Sequence, residues 1–217
     1  MGIAILFRKN LEGTSPFYRE LNKLVLCPGE GLILSSGFTG VQDFSLRNNI
    51  NLGFRGYNNS QLITLSGNFG SQCTCKSDNP NPSNKCHYDR YIDFVHYMNQ
   101  GCHCNQKRFL IDTYGKWHAK ISMKTRDNVP FAMIVGSSNL SKSALGLNGS
   151  GNYESDVLIW RDDYFPNPNF LEGLNKHEYW RLSPYYQGQE ADLLNSQHND
   201  LLEYINNNNK VHYAPLQ

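Results

Sequence analysis

Nowhere in the 217 residues does an apolar run approach the roughly 20 residues that a membrane-crossing helix needs. The first residues, Met1 to Lys9, lack the charged start and the cleavage pattern of a signal peptide, so a soluble, cytoplasmic protein is expected. Leu6 stands where a myristoylation signal wants Ser or Thr, which excludes that anchor. No internal repeat is found, so a chemistry that needs two copies of one site would have to borrow the second from another chain.

Charge of one sign is scarce overall, with a net charge of only +1, but it is unevenly spread. From Asn105 to Leu145 there are seven Lys or Arg against two acids, whereas Ser150 to Gln217 has four against ten. A basic band of that kind suits a polyanion. Cysteine is also rare outside one place: five of the six lie between residues 73 and 104, as Cys73, Cys75, Cys86, Cys102 and Cys104. Clustered thiols without a secretion signal favour a structural zinc ion, with His87 and His103 as substitute ligands and reduced thiols or disulfides as the alternatives. The metal would pin a long insertion, residues 70–105, and take no part in the chemistry.

The stretch from Trp117 to Trp160 carries the functional signal. His118 and Lys120 are two apart, so on a strand both project from one face, a proton carrier or nucleophile beside a fixed positive charge. Phe109-Leu110-Ile111 before them and Tyr114-Gly115-Lys116 as a turn predict a hairpin displaying the pair. Phe131 to Val135 reads as a strand buried on both faces that delivers Gly136-Ser137-Ser138-Asn139 to a strand end. A helix is predicted from Leu140 to Leu145, with Lys142 near its start, and a further buried strand, Val157 to Trp160, follows Glu154. Histidine, lysine, hydroxyls and an amide converging at strand ends suit a phosphodiester, whose oxygens Lys120 and Asn139 would hold.

The rest of the chain predicts a scaffold. Strand, helix and strand fill residues 1–40, with Ser15-Pro16 opening the helix, Cys27-Pro28-Gly29 closing it and Leu32-Ile33-Leu34 running to Ser36 and Phe38. A helix is predicted over Phe44–Ile50, strand at Leu52–Phe54 and Gln61–Leu65, and helix over Tyr88–Met98. Glu190 to Ile205 carries a helical apolar stripe on which His198 reads as a packed residue. Residues 206–217, opening on four asparagines, read as a tail or linker after a single domain, 1–205.

His118-Ala119-Lys120, Gly136-Ser137-Ser138-Asn139-Leu140-Ser141 and Asn152-Tyr153-Glu154 together resemble the signature of the phospholipase D superfamily. They look most like its nuclease branch, which includes metal-independent restriction endonucleases. The resemblance covers residues 105–160, with a weaker echo over Gly31–Phe38. One departure stands out: the aspartate that the family's motif places beyond the lysine falls here on Thr125, with Asp127 two residues on. Several nuclease-like members lack that aspartate.

The resemblance implies an α/β fold, a phospholipase D-like mixed β-sheet flanked by helices on both faces, here with a Cys-rich insertion. It implies a homodimer that faces two His118 side chains across one phosphodiester, with no cofactor for catalysis. His118, Lys120, Asn139, Glu154 and Ser137 would be catalytic, and Ser138, Ser36 and Lys142 would bind substrate. DNA is the expected substrate and a type II restriction endonuclease the expected enzyme, its recognition module missing or on a partner. A phospholipid hydrolase or transferase, and a non-catalytic nucleic-acid-binding module, are the alternatives.

Overall fold

A computed structural model of the chain describes residues 2–8, 13–67, 86–113, 117–147, 153–163, 169–182, 189–207 and 211–215. Nine strands form one mixed sheet: β1 (Gly2–Arg8), β2 (Gly31–Ser36), β3 (Gln61–Ser66), β4 (Gln106–Asp112), β5 (Lys120–Arg126), β6 (Val129–Gly136), β7 (Glu154–Trp160), β8 (Tyr179–Leu182) and β9 (Val211–Tyr213). Their order across the sheet is β8-β1-β7-β6-β5-β2-β3-β4-β9. β2, β3 and β4 run parallel, and the pairings from β2 through β5, β6, β7 and β1 to β8 are antiparallel.

Strand alternation splits the core into two clusters. Leu32 and Leu34 of β2, Leu62 of β3 and Ile134 of β6 belong to the larger one, with Phe17, Leu21, Leu24 and Val25 of helix α1 (Pro16–Leu26), Leu46 and Ile50 of α2 (Phe44–Gly53) and Tyr91, Phe94, Val95 and Met98 of α3 (His87–Gly101). Ile33, Ile63, Ile121, Met123 and Met133 belong to the other, with Leu194, Leu201 and Ile205 of α5 (Gln189–Asn207). Helices thus cover both faces, as expected.

Local chemistry explains the helix boundaries. Ser15 caps α1 by accepting from the Tyr18 N–H, with Pro16 at the first position, and Asp43 caps α2 by accepting from Leu46 N–H. Asp127 and Asn128, with φ of 54° and 61°, make the two-residue turn of the β5–β6 hairpin.

Four expectations are corrected. β4 and β5 form no hairpin: β2 and β3 lie between them, and β5 pairs with β2 and β6 instead. Leu52-Gly53 ends α2 and is not a strand, because Phe54 N–H still bonds to Ile50 O at 3.1 Å. The helix expected from Leu140 begins only at Lys142 and is the four-residue α4 (Lys142–Leu145), closed by Gly146 at φ 78°. Val211–Tyr213, in the stretch read as tail, pairs antiparallel with β4 and supplies the ninth strand.

The cysteine cluster also reads differently. Cys86 is disulfide-bonded, and Cys102 and Cys104 are buried free thiols with sulfurs 2.8 Å apart. Cys73 and Cys75 lie outside the described residues. Among the described residues no group of three His, Cys, Asp or Glu side chains is placed to hold a metal. A disulfide sulfur has no thiolate to offer, so the zinc site with Cys86 as a ligand is not assembled.

Candidate active site

The pairing registers bring one end of four strands together. Lys120 opens β5 opposite Gly136 at the end of β6, and Gly136 lies opposite Asp156 near the start of β7. On the other side Ser35 pairs with Ile121, which places Ser36, the last residue of β2, beside Lys120, and Ser36 pairs in turn with Ser66. These residues form one row across the sheet.

His118 and Lys120 meet at this row. Lys120 Nζ lies 2.8 Å from His118 Nδ1 and 3.2 Å from its Nε2, and donates to His118 O at 2.9 Å. An ammonium can only donate, so the ring is held against a positive charge whichever tautomer it adopts. Lys120 is 9% exposed and His118 is exposed. Burial lowers the Lys120 pKa, while the carboxylates of Glu154 and Asp156 push it back up.

The segment that presents His118 is held from both sides. Trp117 N–H donates to Asp112 Oδ2 at 2.8 Å, its indole N–H donates to Ser35 Oγ at 3.1 Å, and its ring packs 4.5 Å from that of Tyr204. Tyr204 OH donates to the same Asp112 oxygen at 3.0 Å, and Ser35 Oγ donates to Ala119 O at 3.4 Å. None of Asp112, Trp117, Ser35 and Tyr204 was marked by the sequence, because their partners lie up to 92 positions away.

Asn139 is half-buried after the turn at the end of β6, and Ser36 engages it directly. Ser36 Oγ donates toward Phe38 O at 2.8 Å and Asn139 Oδ1 at 3.1 Å, and accepts from the Leu140 N–H at 3.3 Å. Ser36 is fully buried, so it orients the amide and does not face a substrate as expected. With its oxygen committed, Asn139 keeps its NH2 for a ligand. A bridge between Thr39 and Leu140 and the bond from Gly40 N–H to Leu140 O, 3.0 Å, tie the two loops together.

Ser138 is buried too. Its N–H donates to Asp156 Oδ1 at 3.0 Å and its hydroxyl to Asp156 Oδ2 at 2.6 Å, so it is spent on Asp156 and not on substrate. Asp156, 2% exposed, is the residue that sequence reasoning missed, and burial raises its pKa against the pull of those bonds. It also explains Gly136, where a Cβ would meet Asp156 Oδ1 at 2.4 Å. The sequence signal is a second acid at the third position of β7, two residues after Glu154.

Ser137 and Glu154 sit at the exposed edge. Ser137 Oγ donates to Glu154 Oε2 at 2.5 Å and accepts from Ser155 N–H at 2.9 Å, so within one chain Glu154 is engaged by Ser137. Lys142 is exposed on α4, in no hydrogen bond or ion pair with the other candidates among the described residues. Arg8, opposite Glu154 on β1 and 3% exposed, donates to Ser143 O at 2.5 Å and so fastens α4 behind the cleft. Asn152 lies outside the described residues. Thr125 sits at the far end of β5 against Gly31, where a Cβ would meet its Oγ1 at 2.0 Å, so the position of the family's aspartate is remote from the cleft.

The row therefore gathers an imidazole, an ammonium, an amide NH2 and the Ser137–Glu154 pair. Such a set can bind an anion and move a proton.

No family model matches the sequence and no curated protein matches it. Among solved structures, 67 chains match in fold. One is Nuc, a phospholipase D family member from Salmonella typhimurium, 13% identical over 84% of this chain and 98% of that one, with a TM-score of 0.43. NucT from Helicobacter pylori is 12% identical over 93% of this chain and 95% of that one, at 0.47. The phosphatidylserine synthase of Haemophilus influenzae Rd KW20 is 13% identical over 94% of this chain and 46% of that one, at 0.48. At such identities and TM-scores the likeness carries no argument about chemistry, which rests on the cleft itself. Among the described residues no helix is long and apolar enough to cross a membrane.

Proposed function

We propose that the chain is a phosphodiesterase of the phospholipase D type that cleaves DNA without a metal ion, as the catalytic part of a type II restriction endonuclease. The observation that carries this reading is the contact of Lys120 Nζ with the His118 ring, 2.8 Å, beside the amide of Asn139 that Ser36 orients. An imidazole beside a cation and an NH2 donor is the kind of set that in-line attack on a phosphodiester uses.

The chain holds one such set, so the reaction is assigned to a two-fold homodimer with both His118 side chains in one cleft. One His118 attacks phosphorus, forming a nitrogen–phosphorus bond as the bond to the leaving oxygen breaks. The other gives that oxygen a proton, then takes one from water, whose oxygen displaces the histidine and regenerates it. Lys120 and Asn139 of both copies neutralise the phosphoryl oxygens, and Glu154 with Ser137 frames the edge where the second copy would enter.

Plasmid cleavage in excess chelator tests this. Wild-type cleavage that His118→Ala abolishes is the expected result, and an absolute requirement for added magnesium would overturn the mechanism. Release of a phospholipid headgroup from vesicles without plasmid cleavage would move the substrate to lipid.

A further inference from the structure

A concavity lies at the opposite end of the sheet from His118. Its volume is about 500 Å³, and it is walled by the end of α2, by the turn from Phe54 to Ser60 and by His103. It adjoins the first residues of β3 and β4, whereas the cleft adjoins the last residue of β2. A six-residue strand separates the two by about 20 Å.

The frame is fixed by bonds made within it. Asn51 Nδ2 donates to Gly101 O at 2.9 Å and its Oδ1 accepts from the His103 N–H at 2.9 Å. Arg55 N–H donates to Leu52 O and Tyr57 N–H to Phe54 O, both at 3.1 Å, and Ser60 O accepts from Gln106 N–H at 2.9 Å. Five other lining groups are, by contrast, unspent. Among the described residues, the Arg55 guanidinium, the His103 imidazole, the Asn48 and Asn58 amides and the Tyr57 hydroxyl enter no side-chain hydrogen bond or ion pair.

Among the described residues no carboxylate lines the cavity or pairs with Arg55. An amine lies behind the wall: Lys124 Nζ, fully buried and without a hydrogen-bond partner, sits 4.2 Å from the centroid of the lining Phe54 ring. An unpaired guanidinium in a cavity of this volume, with an imidazole, amides and an aromatic ring beside it, matches an anion carrying a planar hydrogen-bonding group.

We propose that this cavity binds a nucleoside monophosphate, the phosphate at Arg55 and His103 and the base against Tyr57 among the asparagine amides. The site is separate from the cleft and does not depend on the phosphodiesterase reading. Deoxyadenosine monophosphate is the probe, titrated calorimetrically into the full chain, with orthophosphate as the comparison. Binding tighter than about 1 mM is expected, weakened at least about tenfold by Arg55→Ala or Asn58→Ala and at least about tenfold weaker for orthophosphate. His118→Ala should leave the affinity unchanged. No binding at 5-fold above that limit, about 5 mM, or binding lost in His118→Ala but kept in Arg55→Ala, overturns the proposal. Arg55 and Asn58 are exposed, so neither substitution threatens the fold.

Discussion

At the scale of single residues the candidate cleft is defined by which polar atoms are committed and which are left over. Asp156 takes both donors of Ser138 and Ser36 takes the oxygen side of Asn139, which leaves the Asn139 NH2 near the exposed His118 ring and the buried Lys120 ammonium that contacts it. Asn139→Ala is therefore expected to lower kcat by about 10²-fold with little change in fold, the loss seen when one transition-state donor is removed. Asp156→Ala should act differently, since it strands a buried N–H and a buried hydroxyl at about 1–3 kcal/mol each. Chemical denaturation of that variant should show a stability loss of this order, alongside reduced cleavage. The residues on which these predictions turn were unequally legible. His118, Lys120 and Asn139 stood out by type and spacing, whereas Ser36 and Ser138 were read as substrate ligands because an isolated serine does not show which way its hydroxyl donates.

Strand β5 shows how an element can serve two ends of the molecule. Its alternation sends Ile121 and Met123 to one core and Lys120, Ser122 and Lys124 to the other face, so the strand that brings the candidate lysine to the cleft also buries a second lysine deep in the fold. Burial lowers the Lys124 pKa to about 7. A depressed lysine pKa means that between pH 7 and the ordinary value of 10.5 the unfolded chain binds more protons than the folded one. Stability should consequently rise with pH across that window. Lys124→Met is expected to stabilise the protein by about 1–4 kcal/mol at pH 6, and the gain should shrink by pH 10, as measured by urea denaturation at both values. Periodicity alone placed strand β6 and helices α1, α3 and α5 to within a few residues. It missed the partner of β5 because the parallel strands β2 and β3 insert between β4 and β5, which are adjacent in sequence.

At the scale of the whole molecule, the edge of the sheet and the proposed second copy decide behaviour. β9 covers β4, with Ala214 N–H bonded to Phe109 O at 2.6 Å and Tyr204 of α5 reaching Asp112. Removing residues 208–217 should uncover that edge, lower the melting temperature and increase self-association, measurable by scanning calorimetry and light scattering. For the proposed homodimer, mixed dimers of wild type and His118→Ala should lose the activity of the wild-type pair, because each His118 performs a different step. Half-activity per wild-type subunit in such mixtures would instead favour a self-sufficient monomer.

The sequence by itself determined most of the helices and strands and a set of candidate residues, because these depend on local spacing, capping and side-chain type, and its resemblance to a known family gave the class of the fold. Tertiary structure decided the rest: that β4 and β5 part company, that Val211–Tyr213 joins the sheet, that Ser35, Asp112 and Tyr204 steady the segment before Lys120, and that Asp156 underlies Ser138. Each of these is a pairing between positions far apart in the chain, and the free energy of such a contact is set by which partner the folded backbone brings within a few ångströms.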